Sequence, residues 1–559
     1  MPMYQGKRAF LELLRQEGVD MIFGNPGTTE LPLMDALAVE TGIRYVLGLN
    51  EAAVMAMADG YAQASGKLAV ANVHVAPGLG NAMGMLYDAQ KASSPILVTA
   101  GQHDQAFTFQ EPILWADLAT MARPLAKWSV EVTRLKDLPR AVRRAAKTAL
   151  APPMGPVFLS LPVDVLQETE DIDLGRPTRI RHMMRADRAA VEEAARMLAT
   201  AKSPVLISGD AVAQSDALKE VVALAELLGA PVYAEGIPSR ATFPSTHPLF
   251  QGHMQRLSPQ IRESLSKHDV LFSIGGDLFT QSLPTDVEPV PDGLKIIHID
   301  TDPWELGKNH PVDVAMLGEP KATLPELTDL VQEQMGSEGR QMAERRLEAV
   351  KADTAKRQAA TLKDAETQAK ASPIKALALM KLIGETLPKD AVVVEETLSS
   401  SDRIRNLVPS LDSQSWYGLR GGGIGWGLPA SVGVKLALPN RPVVGLIGDG
   451  SSMYTIQALW TAANAKVGTL VFVILNNTSY RILKQRMNAM REYAAQADHY
   501  PAMDLEAPAI DFVGMAKAMG VNGARATTLD EVQGHLKAAL GRNEPFVLDV
   551  ALDKSFKPV

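Results

Sequence analysis

The chain has 559 residues, 46% hydrophobic and 21% charged, with a formal net charge of −8 and no cysteine. That length is too great for one core and sets an expectation of about two to four domains of a soluble globular protein, while the acidic balance, with no basic block and no aromatic-basic interleaving, argues against nucleic acid and anionic membranes as partners. Disulfides, thiolate metal sites and cysteine nucleophiles are excluded, no apolar run reaches the ~18 residues of a membrane span, and the opening MPMYQGKRAFLELL has no leader-like apolar core, so a cytoplasmic location is expected.

In chain order, three α/β segments are predicted. The first covers residues 1–180, with strands at 21–23, 45–49, 68–74, 95–100 and 157–161 and amphipathic helices between them. The second covers 190–335, with strands at 204–208, 231–234, 270–274 and 295–299. The third covers 370–559, with strands at 442–447, 469–475 and 546–550. Strands alternating with helices imply α/β domains built on doubly wound parallel sheets covered on both faces. The connector 169–188 mixes charge with Pro and Gly. The connector 336–372 is rich in Lys, Glu, Ala and Arg without any strand pattern, and reads as a solvated helix.

The most telling pattern lies in the third segment. Gly448-Asp449-Gly450 ends one apolar run, and Asn476-Asn477 ends a second after 25 intervening residues. Residues 452–465 between them read as a helix, with Met453, Ile456, Leu459 and Trp460 at helical spacing. Strand, turn, helix, strand sets an aspartate and an asparagine at the ends of neighbouring parallel strands. One charged and one neutral oxygen suit a hard divalent cation that carries a diphosphate, and the amides of Gly450 and Ser451 suit phosphate oxygens. Taken alone, the two motifs also fit an ordinary turn and an ordinary strand end.

Gly-Asp-Gly followed at this distance by Asn-Asn resembles the cofactor motif of thiamine diphosphate enzymes. The resemblance covers nearly the whole chain and orders it as pyrimidine-binding (1–180), middle (190–335) and diphosphate-binding (370–559) domains. That order is similar to the 2-oxo acid decarboxylase and acetolactate synthase branch rather than to transketolase. It implies a Mg²⁺ (or Ca²⁺) ion on Asp449, Asn477 and the Ser479 carbonyl. It implies cofactor contacts at Ser399, Gly422, Gly450, Ser451, Tyr454, Ser479 and Tyr480, with Ser452 beside them; the serines also suit helix N-caps. Glu51, in LNEAAVMAMADGYAQASGK, is the implied carboxylate on the aminopyrimidine, although an acid at a helix start also suits the helix dipole. Ile424, in GGGIGWGLPA, is the implied apolar wedge that bends the cofactor.

Within the branch, FGNPGTTELP, NVHVAPGLGNAMG, RPLAKWS, GPVFLSLP and IGDGSSMYTIQALWTAA resemble the benzoylformate decarboxylases. The resemblance implies a lyase acting on a 2-oxo acid through an enamine, with possible carbon–carbon bond formation. Thr28 takes the place of a carboxylate-binding serine, and His74 that of a proton-transferring histidine. A second histidine expected in the middle domain falls on Ser282, which points to a longer-lived carbanion and to carboligation. The segment 478–503 departs from the family and is expected to cap the site, with Tyr480, Ile482, Leu483 and Met487 facing substrate and His499 as a mobile acid or a plain surface residue.

The alternative is an acetolactate synthase-type carboligase acting on pyruvate, favoured by Phe109-Gln110-Glu111 and HIDTDPWELGKN. GGDLFTQS replaces the Arg-Asp-Asp run associated with flavin, so no flavin is expected. A scaffold that has lost its chemistry is disfavoured by the joint presence of Glu51, Asp449 and Asn477. A nicotinamide enzyme is disfavoured by the lack of G-x-G-x-x-G after a strand. A site shared between subunits implies a homodimer at least, and the family suggests a homotetramer.

Overall fold

A computed structural model describes residues 3–181, 183–400 and 403–556. Its frame is three six-stranded sheets, each wholly parallel. The first runs in the spatial order 44–47, 21–24, 69–73, 96–102, 157–162, 129–131. The second runs 250–253, 232–234, 204–208, 270–274, 295–300, 314–317. The third runs 416–418, 392–396, 443–448, 470–476, 545–551, 522–526. Central strands such as Ile96–Gln102, Pro204–Ser208 and Leu470–Asn476 are buried along their whole length. Such continuous burial comes from helices on both faces, and it explains why their sequences are apolar runs rather than alternations.

Most expected central strands lie within one or two residues of their structural bounds. Five of the six edge strands are additions to the sequence reading: Ser129–Glu131, Phe250–His253, Val314–Leu317, Trp416–Gly418 and Asn522–Ala526. They are three to five residues long, too short for an apolar run or an alternation to stand out. The buried Val392–Glu396 is a further addition. Connector 169–188 holds a strand, Thr169–Asp171, paired antiparallel with Met3–Gln5. Connector 336–372 is a helix, Ser337–Gln368. The helix expected over 452–465 is corrected to two short ones, Asp449–Ser452 and Ala458–Asn464. Between them the Thr455 hydroxyl donates to the Gly425 carbonyl at 2.5 Å, tying that segment to a glycine loop rather than to a helical turn.

In each sheet the direction of winding reverses between two adjacent strands, which leaves a crevice at their carboxyl ends. These pairs are 21–24 with 69–73, 204–208 with 270–274, and 392–396 with 443–448. The first and third domains are locked by helix Glu51–Ser65 lying on helix Gly427–Ala437. A Cβ on Gly60 would sit 2.4 Å from the Ala430 carbonyl oxygen, and one on Gly433 would sit 2.0 Å from that of Met57. Only glycine allows backbones this close.

Candidate functional site

The first crevice collects the N-terminal candidates. Glu51 opens its helix just after Asn50, whose side chain caps the Ala52 amide at 2.8 Å. The Glu51 carboxylate is buried. Asn25 Nδ2 donates to its Oε1 and Asn81 Nδ2 to its Oε2, both at 3.0 Å, so each oxygen is held by one amide. A Cβ on Gly78 would stand 2.9 Å from Oε1, so the carboxylate is confined from that side as well.

His74 comes directly after strand Ala69–Val73, and the next residue, Val75, has φ +42°. A β-branched residue with positive φ is a strained backbone of the kind that concentrates at functional sites. His74 Nδ1 lies 2.7 Å from Glu30 Oε2 and 3.3 Å from Thr29 Oγ1. Glu30 is itself fully enclosed, accepting from the Gly27 amide at 2.8 Å, the Gly101 amide at 2.7 Å and the Thr29 hydroxyl at 2.9 Å. The ring is thereby oriented through Nδ1, leaving Nε2 for other work. Thr28 is exposed at the start of the turn Thr28–Glu30, on the rim of a hollow that Thr29, His103 and Phe107 also line.

The third crevice collects the C-terminal candidates. Asp449 Oδ1 accepts from the Gly450 amide at 2.8 Å, while Oδ2 is buried with no hydrogen-bond partner. Burial pushes this carboxyl up to about 6, against the opposing pull of the amides of Gly450, Thr478, Ser479 and Asn477. Asn477 is buried beside it, accepting from the Ser479 amide at 3.1 Å and donating to Ser400 Oγ at 3.3 Å. A buried carboxylate oxygen without a partner, beside a fixed amide oxygen, fits a hard cation. Among the described residues no group of three or more His, Asp or Glu forms a metal cluster, so a cation here would draw its remaining oxygens from neutral groups and from its ligand. Ser399 is held by Arg481, whose Nε donates to its hydroxyl at 3.2 Å and Nη2 to its carbonyl at 2.8 Å, while the hydroxyl keeps its own proton to donate. Tyr480 packs on Gly450, where a Cβ would meet its ring at 2.6 Å. Tyr454 is 54% exposed.

The glycine loop carrying Gly422 and Ile424 has φ values of +85° and +99° at Gly422 and Gly425. It is clamped by carboxylates that carry no signal in the sequence. Asp88 Oδ1 accepts from the Gly423 amide at 3.0 Å, and Asp59 Oδ2 from the Trp426 indole at 2.7 Å. Glu396 accepts from the Gly425 and Gly427 amides at 2.6 and 2.5 Å. Burial raises Asp88 to about 8 and Glu396 to about 7, with Asp59 and Glu396 adding to the effect on Asp88. Arg420, at the head of the loop, reaches into the crevice of the middle domain. Its Nη1 lies 2.8 Å from Asp210 Oδ2 and 2.6 Å from Glu235 Oε1, and its Nη2 lies 3.1 Å from Glu235 Oε2 and 3.4 Å from Asp277 Oδ1. These partners lie far apart in sequence and repeat no pattern, so only the folded chain reveals them.

Segment 478–503, expected to cap the site, folds as helices Arg481–Met490 and Tyr493–Ala497. Ile482 and Met487 are half-buried, Leu483 is 45% exposed, and His499 lies on the surface. Ser282 donates through its amide and its hydroxyl to the Arg256 carbonyl, at 3.0 and 3.4 Å. Gln110 is exposed in a surface segment with Phe109 and Ile113. Within one chain the Glu51–His74 cluster and the Asp449–Asn477 cluster make their hydrogen bonds separately.

Comparison with known proteins matches three family models in order: the N-terminal TPP binding domain of thiamine pyrophosphate enzymes over residues 4–114, their central domain over 191–327 and their C-terminal TPP binding domain over 404–550. The chain is 33% identical over 551 residues to a benzoylformate decarboxylase of Pseudomonas aeruginosa, covering 97% of this chain and 98% of that one. It is 28% identical over 577 residues to a probable acetolactate synthase large subunit of Methanococcus aeolicus, covering 98% and 92%. Among solved structures, a thiamine diphosphate-dependent 4-hydroxybenzoylformate decarboxylase of Rhodococcus jostii RHA1 superposes with a TM-score of 0.86 at 32% identity, over 99% of this chain and 100% of that one. Benzoylformate decarboxylase from Polynucleobacter necessarius gives 0.87 at 31% identity, with the same coverage. With three family models matched in order and full-length relatives above 30% identity, the chain belongs to the thiamine pyrophosphate enzymes, and its likeness to their benzoylformate decarboxylases extends from end to end.

Proposed function

We propose that the chain is a thiamine diphosphate-dependent lyase that decarboxylates a 2-oxo acid in the manner of the benzoylformate decarboxylases. The observation that carries this reading is the buried, unpartnered Oδ2 of Asp449 beside Asn477 at the carboxyl end of a parallel sheet. Asp449, the Asn477 side chain and the Ser479 carbonyl would hold Mg²⁺, and the amides of Gly450 and Ser451 would meet the diphosphate. When bound, thiamine diphosphate supplies the carbon nucleophile and the electron sink for loss of carbon dioxide.

The chain's own groups do the rest. Glu51, fixed by Asn25 and Asn81, holds a proton at the aminopyrimidine nitrogen. The Gly422 carbonyl and Ile424 would orient the ring, and Tyr454 and Tyr480 would contact the diphosphate. His74, turned by Glu30, moves a proton through Nε2 at the substrate oxygen, and Thr28 orients the substrate carboxylate. Leu483 and Ser282 border the substrate, and Gln110 lies at the rim.

The separation of the two clusters within one chain supports a site completed by a second copy, hence a homodimer or a dimer of dimers. Phe109 and Ile113, 98% and 84% exposed, suit burial in that contact. Absence of flavin is supported by Arg420 and three carboxylates filling the middle-domain crevice, where a diphosphate would meet negative charge. Cytoplasmic residence is consistent with the lack of cysteine, and no described helix is long and apolar enough to cross a membrane.

The second reading, carboligation from pyruvate, rests on Ser282, which offers no acid where an imidazole would protonate the product. The test is product analysis by mass spectrometry with thiamine diphosphate and Mg²⁺. Benzaldehyde from benzoylformate supports decarboxylation, acetolactate from pyruvate moves the assignment to the synthase class, and failure to bind thiamine diphosphate overturns both.

A further inference from the structure

Beside the glycine loop, between the middle and third domains, lies a cleft of about 510 Å³. His253, Arg256, Leu398, Arg405 and Gly422 are among the residues that line it. Arg405 is only 7% exposed, stacks at 3.8 Å on the Trp416 ring, and leaves its Nε buried without a hydrogen bond. A guanidinium so deeply buried normally has an ionic partner. Among the described residues neither Arg405 nor Arg256 forms an ion pair or a side-chain hydrogen bond.

Burial lowers Arg405 to about 9, with Glu395 pulling the other way. Burial also lowers Arg256, and the Arg486 charge on the capping helix lowers it further. Two acids also line this face: Glu396, held by the Gly425 and Gly427 amides, and Glu395, which accepts from the Thr397 hydroxyl at 2.5 Å and supports the Arg405 charge without an ion-pair contact. Arg403, also at the cleft, pairs with Asp364. Arg256 is thus left without an ion-pair partner beside a cavity that opens on Gly422, the residue assigned to the cofactor ring.

We propose that this cleft receives a second anionic group, at the far end of the 2-oxo acid, and that Arg256, which shares the lining with Arg405 and feels the like charge of Arg486, is its specificity-determining residue. The inference rests on the proposed 2-oxo acid chemistry and names the substrate class: a 2-oxo acid whose tail ends in a carboxylate or a phosphonate. A charged tail gives Arg256 the direct ionic contact it lacks, and an uncharged tail leaves it unpaired in a partly desolvated wall.

The test compares 2-oxoglutarate and 3-phosphonopyruvate with 2-oxopentanoate on the holoenzyme, for the native chain, Arg256→Gln and Arg486→Gln. Calorimetric titration with glutarate, which cannot react, is run alongside. The expected result is a KM about 10- to 100-fold lower for a charged substrate than for 2-oxopentanoate, as one charge-assisted contact gives. That preference and glutarate binding should be lost in Arg256→Gln and reduced in Arg486→Gln, with kcat for 2-oxopentanoate retained. Preference for one charged tail identifies carboxylate or phosphonate as the group received. Equal KM values in the native enzyme overturn the proposal, as does an equal loss for charged and uncharged substrates in both variants. Absence of turnover with every 2-oxo acid would sink the decarboxylase reading instead, and glutarate binding would still judge the cleft.

Discussion

Replacing Arg420 by Met tests how the cofactor loop is held. The Arg420 side chain is 14% exposed, and those of Asp210 and Glu235 are 7% and 1% exposed, so little water screens these contacts. Nη1 touches Asp210 and Glu235 at 2.8 and 2.6 Å, and Nη2 touches Glu235 again at 3.1 Å. At an effective dielectric near 20, each contact of this length corresponds to roughly 5 kcal/mol of attraction before desolvation is subtracted. What matters in the variant is the residue of that balance: carboxylates left buried without their cation, which destabilises by about 3–5 kcal/mol. The middle domain should therefore unfold at lower urea concentration. The loop, freed at its head, should bind thiamine diphosphate at least about tenfold more weakly, a loss of ~1.4 kcal/mol. Urea denaturation and quenching of tryptophan fluorescence on cofactor titration read the two effects separately. Adding Glu235→Gln removes one stranded charge and should recover about half of the stability but not the cofactor affinity. A loss under about 1 kcal/mol together with unchanged affinity would refute the idea that this pair sets the loop.

Other substitutions probe the remaining parts. Glu51→Gln keeps the shape and its contact with Asn25 but cannot hold the proton the cofactor needs, and kcat should fall by at least about 100-fold with cofactor affinity little changed. Unchanged turnover would remove Glu51 from the mechanism. Asp449→Ala should abolish Mg²⁺-dependent retention of thiamine diphosphate on gel filtration, and retention without loss would place the metal elsewhere. Ser282→His should raise aldehyde relative to ligation product, and a fixed product ratio would end the argument from the missing acid. His298 is fully buried, bonded through Nε2 to the Gly276 carbonyl at 3.1 Å, and burial lowers it to about 4. Below pH 6.5 the unfolded chain takes up a proton that the folded chain refuses, so stability falls as pH drops from about 6.5 to about 4, by roughly 3 kcal/mol for this group. His298→Gln should flatten that limb, and an unchanged slope would mean that His253 and His268, lowered by burial to about 3 and 4, account for it.

Residues 443–448 and 470–476 are legible in sequence because a strand buried on both faces must be apolar throughout, and the polar residue that ends each run is then forced to the carboxyl end of the sheet. That is how Asp449 and Asn477 come to light. The edge strand Trp416–Gly418 has three residues and no such signature. The clamps are illegible for a different reason. Glu30, Asp88, Glu396 and Arg420 are ordinary charged residues in sequence, and their unusual character comes from burial against partners contributed from tens or hundreds of positions away. Ser399 is a mixed case. Its place in EETLSSS suggests a diphosphate contact, and only the fold reveals that Arg481, 82 residues later, donates to its hydroxyl.

The close seating of helix Glu51–Ser65 on helix Gly427–Ala437 also has a meaning in time. From Ala53 to Ala64 every residue of the first helix is buried in the finished chain, yet its covering helix starts 362 residues after Ser65. At the usual pace of synthesis that interval lasts about 20–70 s, during which the N-terminal domain has its own sheet but lacks its lid. A nascent chain of this protein therefore carries a smooth, small-residue apolar face through most of its translation. Its yield in the cell should depend on what shields that face, and hardly at all on the supply of cofactor, whose clamp cannot close until residue 427 has left the ribosome.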